Sequence, residues 1–116
     1  MIRCKRVYEA PAPEDGYRAL VDRLWPRGVK KTDLHYDEWP KDLTPSSALR
    51  KEFHSEAIDF TEFSRCYKKE LEQNLSAAKA LAKHGKEGTL TLLYGAKNAD
   101  QNHALVLADF LRHYMD

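Results

Sequence analysis

The segment 16–28 constrains the fold more than any other part of the chain. Its apolar centre, Ala19-Leu20-Val21, has no alternation of apolar and polar residues. Such a run is typical of a strand that is covered on both faces, as strands are in a parallel sheet. Pro26 then ends the strand, because proline has no N–H group for strand pairing. The segment therefore predicts a buried strand at 17–25 that leads directly into a stiff, polar turn.

Two further strands are predicted, at 2–8 and at 89–94. The second is the clearer of the two, because β-branched and apolar residues run together there between glycines. Helical patterns separate the strand at 17–25 from the strand at 89–94, and another follows it. This order favours an α/β fold: one small layered domain at 1–116, with a partly parallel sheet flanked by helices.

The helical pattern is strongest at 59–83, where apolar residues recur every three or four positions. A break near residue 74 divides it in two, and Gly85 is the predicted left-handed cap at its end. The last helix is predicted at 102–114, with Asp100 as its N-terminal cap. The helices thus supply apolar faces that are long enough to cover a small sheet.

Composition limits the classes of protein to which the chain can belong. With 19 Lys and Arg against 18 Asp and Glu, its net charge is +1. Nucleic-acid-binding proteins usually have a strong basic excess, so this class is not favoured, although a local basic patch is compatible with the balance. No apolar run approaches the roughly 18 residues that cross a bilayer. Cys4 and Cys66 have no metal-ligand spacing, so we expect reduced thiols, no metal site and a cytoplasmic protein.

Polar residues gather just after the strand at 17–25. Ligands of α/β proteins bind beyond the carboxyl ends of the strands, which is where Asp22, Arg23, Trp25 and Arg27 are expected to lie. We interpret Arg27 as the cation that holds an anionic ligand and Trp25 as a flat wall beside it. Asp22 follows an apolar run and is expected to pair with an arginine. The alternative to the ligand-binding interpretation is that Asp22 and an arginine form a purely structural pair, which stabilises the turn.

A second polar group follows the strand at 89–94. Lys97 lies in the loop, and Asn102 and His103 lie at the start of the last helix, where free N–H groups attract anions. His103 is the candidate general acid or base, because imidazole exchanges a proton near neutral pH, and Asp22 is the second candidate catalytic residue. A surface or capping role is the alternative for His103. The isolated His54 is assigned no role.

Four blocks of sequence resemble one known family in the same order. They are Val-Asp-Arg-Leu-Trp-Pro-Arg-Gly at 21–28, Asp-Glu-Trp at 37–39, the Thr-Pro-Ser helix start at 44–46 with Leu49-Arg50, and Thr-Leu-Leu-Tyr at 91–94 followed by Asn-His-Ala at 102–104. Through them the chain resembles, over nearly its whole length, the YeaO-like proteins, a family known as domain of unknown function 488. The resemblance implies a small, soluble, cytoplasmic bacterial α/β protein without an established activity, and it implies no catalytic residue.

Three functional hypotheses follow. The first is a pocket for a small anionic or phosphate-bearing ligand, built from the two polar groups at the strand ends. The second is a nucleic-acid-associated module, in which Trp25, Trp39 and the basic residues at 23–31 contact bases and phosphates. The third is a protein-interaction domain that uses the helical region at 60–83. No cofactor and no oligomeric state is predicted.

Overall fold

The computed structural model describes residues 1–115, and a sheet of three parallel strands lies at its centre. The strands are β1 (Ile2–Arg6), β2 (Tyr17–Leu20) and β3 (Leu90–Tyr94), in the order β1-β3-β2. Both outer strands pair with β3, and every residue of β3 is buried. The α/β class is confirmed, and the sheet is parallel throughout. All three strands therefore end at one carboxyl edge.

Four α-helices are present in residues 1–115. They are α1 (Ser47–His54), α2 (Phe60–Glu72), α3 (Leu75–Glu87) and α4 (His103–Arg112). Short 3-10 turns precede β2, at Pro13–Asp15, and α1, at Lys41–Leu43. None of these helices combines the length and the apolar character that a membrane crossing requires.

The two faces of the sheet are covered differently. All four helices pack on one face, where Ala19 and Val21 join their main apolar core. The loop at 25–39 covers the other face, where Leu20 and Leu93 form a smaller core with Val7 and Leu34. Neighbouring side chains along a strand point to opposite faces. The apolar run in β2 thus reflects burial on both faces.

Three predicted boundaries are wrong. β2 ends at Leu20 and not at residue 25, although Val21 still donates its N–H to Leu93 O at 3.0 Å. Helix α3 continues through Gly85, which packs so closely on Ile2 that a Cβ atom would lie 2.8 Å from the Ile2 Cγ1 atom. Asn102, rather than Asp100, caps α4. Tertiary packing decides the end of helix α3, whereas α4 begins where the Asn102 side chain accepts the Leu105 N–H.

Candidate functional site

A cavity of about 330 Å³ opens at the carboxyl edge of the sheet. Each strand leads into its wall: Tyr8 follows β1, residues 22–27 follow β2, and Gly95 and Ala96 follow β3. Helix α1, Phe63 of α2 and the start of α4 also contribute to the lining. This is the position at which α/β proteins bind ligands, and the volume lies at the lower end of the range for small-molecule pockets.

Asp22 joins three segments at this edge. Its Oδ1 atom lies 2.7 Å from the His103 Nε2 atom, and its Oδ2 atom accepts the Gly95 N–H at 3.0 Å. The side chains of Asp22 and His103 are each 16% exposed. The prediction of an arginine partner for Asp22 is wrong, because the end of β2 and the start of α4 meet here and bring the imidazole to the carboxylate.

The contact with Asp22 fixes the orientation of the His103 ring. With Asp22 ionised, His103 Nε2 carries the proton that the carboxylate accepts, and Nδ1 is then the acceptor of the neutral ring. No partner of Nδ1 is found within residues 1–115. The described lining contains no serine, threonine or cysteine, so no hydroxyl or thiol of the usual nucleophilic kind stands beside the ring. The pair therefore offers a directed hydrogen bond.

Two titratable groups near the pair stay protonated at neutral pH. The Tyr94 ring meets the His103 ring edge-on, with 6.4 Å between ring centroids, and burial raises the pKa of its hydroxyl. Burial also raises the pKa of Cys4 to about 11, and the Cys4 Sγ atom lies 3.5 Å from Ala104 O. Because the thiolate is the reactive form, Cys4 is a poor nucleophile.

Three arginines line the cavity: Arg23, Arg27 and Arg50. Within residues 1–115 none of them forms an ion pair or a side-chain hydrogen bond. The single carboxylate of the lining is Asp22, which already accepts two hydrogen bonds. Excess positive charge in a concave site raises the local concentration of anions.

Aromatic side chains form another part of the wall. Trp25 donates its indole N–H to Val29 O at 2.6 Å, and its ring meets the ring of Trp39 edge-on at 5.6 Å between centroids. Phe53 stacks on Phe63 with 4.5 Å between centroids and 26° between planes. Trp39 donates its N–H to Asp22 O at 2.8 Å, which anchors its loop to the sheet. The aromatic wall is therefore fixed in place.

The structure brings together all but one of the predicted site residues. Those that line the cavity are Asp22, Arg23, Trp25, Arg27, Asn102 and His103. Lys97 is exposed and lies outside the lining. Asn102 is a capping residue, since its Oδ1 atom accepts the Leu105 N–H at 3.0 Å and its Nδ2 atom donates to Asn98 O at 2.9 Å.

Helix α1 contributes residues that the sequence did not reveal. Arg50, Phe53 and His54 all line the cavity from this helix. Phe53 and His54 lie three and four positions after Arg50, so both neighbour it on the helix surface. That spacing is the signal available in the sequence, but it does not indicate which face covers the strand ends.

Comparisons with known proteins identify the family. The model of the inactive DUF488-N3 subclade matches residues 1–116. The chain belongs to this family. It is 60% identical to the uncharacterized protein YeaO of Escherichia coli (strain K12), with 96% of each chain covered. It is 38% identical to the uncharacterized protein Rv3073c of Mycobacterium tuberculosis (strain ATCC 25618 / H37Rv), over 95% of this chain and 92% of that protein. No solved structure matches the chain. The resemblance inferred from the sequence is confirmed.

Proposed function

We propose that this protein binds a small anionic or phosphate-bearing ligand in the cavity at the carboxyl edge of the sheet. The observation that carries this proposal is the lining itself, in which three arginines have no carboxylate partner within residues 1–115 and the one carboxylate is engaged by His103. The planar guanidinium matches the geometry of phosphate and carboxylate groups and binds them through two hydrogen bonds.

Arg27 has the central role in holding the anion. The Tyr8 hydroxyl donates to Arg27 O at 2.8 Å, and the next residue, Gly28, has a φ of 78°, which glycine adopts without strain. This turn fixes the backbone of Arg27 at the cavity, and its exposed side chain is free to reach an anion there. Deeper in the cavity, the His103 Nδ1 atom accepts a hydrogen bond from a donor group of the ligand, and Asp22 sets the direction of that bond.

Binding without catalysis is the better supported reading of the Asp22–His103 pair. The lining residues of the described chain include no serine, threonine or cysteine, and the family is named as an inactive subclade. His103, expected to be the general acid or base, and Asp22, expected to be a second catalytic residue, are thus both assigned to ligand positioning. A cytoplasmic location is part of the proposal, and the two free cysteines support it.

Binding of nucleic acid is less well supported than binding of a small anion. Stacking on bases requires open aromatic faces and a basic groove. Trp25 and Trp39 are instead half-buried, pack against each other, and donate their indole N–H groups to the backbone. If an oligonucleotide bound more tightly than any small anion, nucleic-acid binding would become the better supported function.

Titration calorimetry and thermal unfolding with inorganic phosphate, pyrophosphate and ribose 5-phosphate test the proposal. A ligand at a hundredfold excess over its dissociation constant stabilises the folded protein by about 2.7 kcal/mol. Arg27→Ala is expected to weaken binding roughly 10- to 100-fold, because a charge-assisted hydrogen bond contributes about 1.5–3 kcal/mol.

The matched control is Arg3→Ala. Arg3 is an exposed arginine of β1, on the side of the sheet opposite the carboxyl edge. Arg3→Ala changes the net charge by the same amount as Arg27→Ala. The affinity of the Arg3→Ala variant for each anion is expected to stay within about twofold of the wild-type value. The proposal fails if none of the three anions binds, or if both substitutions weaken binding equally.

A further inference from the structure

The cavity is divided between an apolar floor and a cationic rim. Pro26, Pro45 and Phe63 line it and are buried, whereas Arg23 and Arg27 line it and are exposed. An inorganic anion bound here would contact the rim and leave the floor without a partner, since proline and phenylalanine side chains donate no hydrogen bonds to an anion. A ligand that fills the cavity must therefore carry an apolar part as well as a charge.

The floor favours a planar apolar part. Phe53 is half-buried, lines the cavity, and continues a stack of rings through Phe63 to Phe60. A further ring added to the open end of such a stack gains an offset or edge-on aromatic contact. Trp25 lines the same cavity, and its hydrogen bond to Val29 O holds its orientation. Because these aromatic side chains are held in place, they favour a flat ring over a flexible chain as the apolar part of the ligand.

Polar groups beside the rings indicate what kind of ring fits. His103 Nδ1 is free within residues 1–115, and Gln101 lines the cavity with an exposed amide. Together they supply a directed acceptor, which is Nδ1, and an amide that both donates and accepts hydrogen bonds. Ring nitrogens and carbonyls of a heteroaromatic system meet such groups at its edge.

We propose that the ligand is a phosphomonoester that carries an aromatic or heteroaromatic ring and has about the size of a nucleoside monophosphate. The ring stacks on Phe53, and the phosphate reaches the arginines at the rim. This inference rests on the proposed anion-binding function and names the ligand class for that same cavity. The volume of about 330 Å³ exceeds the need of a lone phosphate ion and suits such a molecule.

Titration calorimetry of the full chain with three probes tests this inference. Adenosine 5′-monophosphate and phenyl phosphate carry a ring, whereas ribose 5-phosphate has the same charged group without one. We expect at least one ring-bearing probe to bind about fivefold or more tightly than ribose 5-phosphate. If both ring-bearing probes bind no better than ribose 5-phosphate, the inference is overturned while the proposed anion binding stands. If none of the three binds, both fail.

A pair of matched substitutions assigns the ring contact. Phe53→Leu removes the ring at the cavity, and Phe60→Leu removes one from the same half-buried cluster outside the lining. We expect Phe53→Leu to weaken binding of the ring-bearing probe about three- to tenfold and to leave ribose 5-phosphate within twofold. Phe60→Leu is expected to change neither affinity. Equal effects of the two substitutions would contradict the assignment of the ring contact to Phe53. If a variant fails to fold, the comparison of the three probes on the wild-type protein still tests the proposed ligand class.

Discussion

Asp22 shows how one side chain holds the site together. Its two oxygens accept hydrogen bonds from Gly95 and His103, which lie 73 and 81 positions away in the sequence. Gly95 has no room for a side chain, since a Cβ atom there would lie 2.7 Å from the Asp22 Oδ2 atom. A glycine at this position thus allows the carboxylate to reach the backbone of the neighbouring strand end.

Asp22→Ala is expected to lower the free energy of unfolding by about 1–3 kcal/mol, because it leaves a half-buried N–H group and an imidazole without their acceptor. Urea unfolding followed by circular dichroism measures the change. Asp33→Ala is the control, since Asp33 is an exposed aspartate of the loop on the other face, and its removal is expected to cost less than about 0.5 kcal/mol. Equal stability of the two variants would contradict the bridging role of Asp22.

Residue types in the sequence were sufficient to locate Asp22 and His103 but not to pair them. Asp22 directly follows an apolar run, and His103 lies at the start of the helix that follows β3, so both positions could be predicted as part of a site. The identity of the partner depends on where β2 leaves the sheet. Because β2 ends at Leu20, Asp22 turns toward Gly95 and His103, while Arg23 remains exposed.

At the scale of elements, a buried cluster of charged side chains around Asp15 connects β1 to β2. The Asp15 carboxylate accepts hydrogen bonds from Lys5 of β1 at 3.1 Å and from Arg18 of β2, as well as from the Ala12 N–H at 3.0 Å. Burial raises the pKa of Asp15, but these hydrogen bonds outweigh it and hold that pKa below its ordinary value. The folded protein therefore binds a proton at Asp15 less readily than the unfolded chain does.

This difference predicts how stability depends on pH. A carboxylate whose pKa is lowered by folding contributes stability above its unfolded pKa of about 4, and the contribution is lost as the pH falls through the folded pKa. We expect the free energy of unfolding to decline below about pH 4, and Asp15→Asn to make that decline shallower. Urea unfolding at a series of pH values from 7 to 3 measures both. An acid decline of the same steepness in the variant would refute the role of Asp15.

Elements were predictable where local sequence determines them and not where packing does. The apolar run of β3 and the periodicity of α2 and α3 are local, so their positions could be read from the sequence. Gly85 resembles a helix cap, yet the helix continues because the missing side chain lets it approach Ile2. Such a contact, between residues far apart in the chain, has no local pattern.

At the scale of the whole molecule, the cavity exists only because three separate regions meet. Two of them, after β2 and after β3, follow from the rule that ligands bind beyond strand ends. The third, α1 with Arg50, Phe53 and His54, depends on which helix covers that edge. A net charge of +1 likewise conceals the local excess of arginine, because the opposite charges lie elsewhere on the surface.

The most direct test of anion binding at this edge is a ¹⁵N–¹H correlation spectrum of the labelled protein titrated with ribose 5-phosphate. We expect the amide resonances of Arg27, Gly95 and His103 to shift together and saturate with one dissociation constant. The amides of Ile2 and Leu90, at the opposite ends of β1 and β3, are expected to stay in place. Shifts confined to that opposite edge, or no shifts at all, would contradict a binding cavity at the carboxyl ends of the strands.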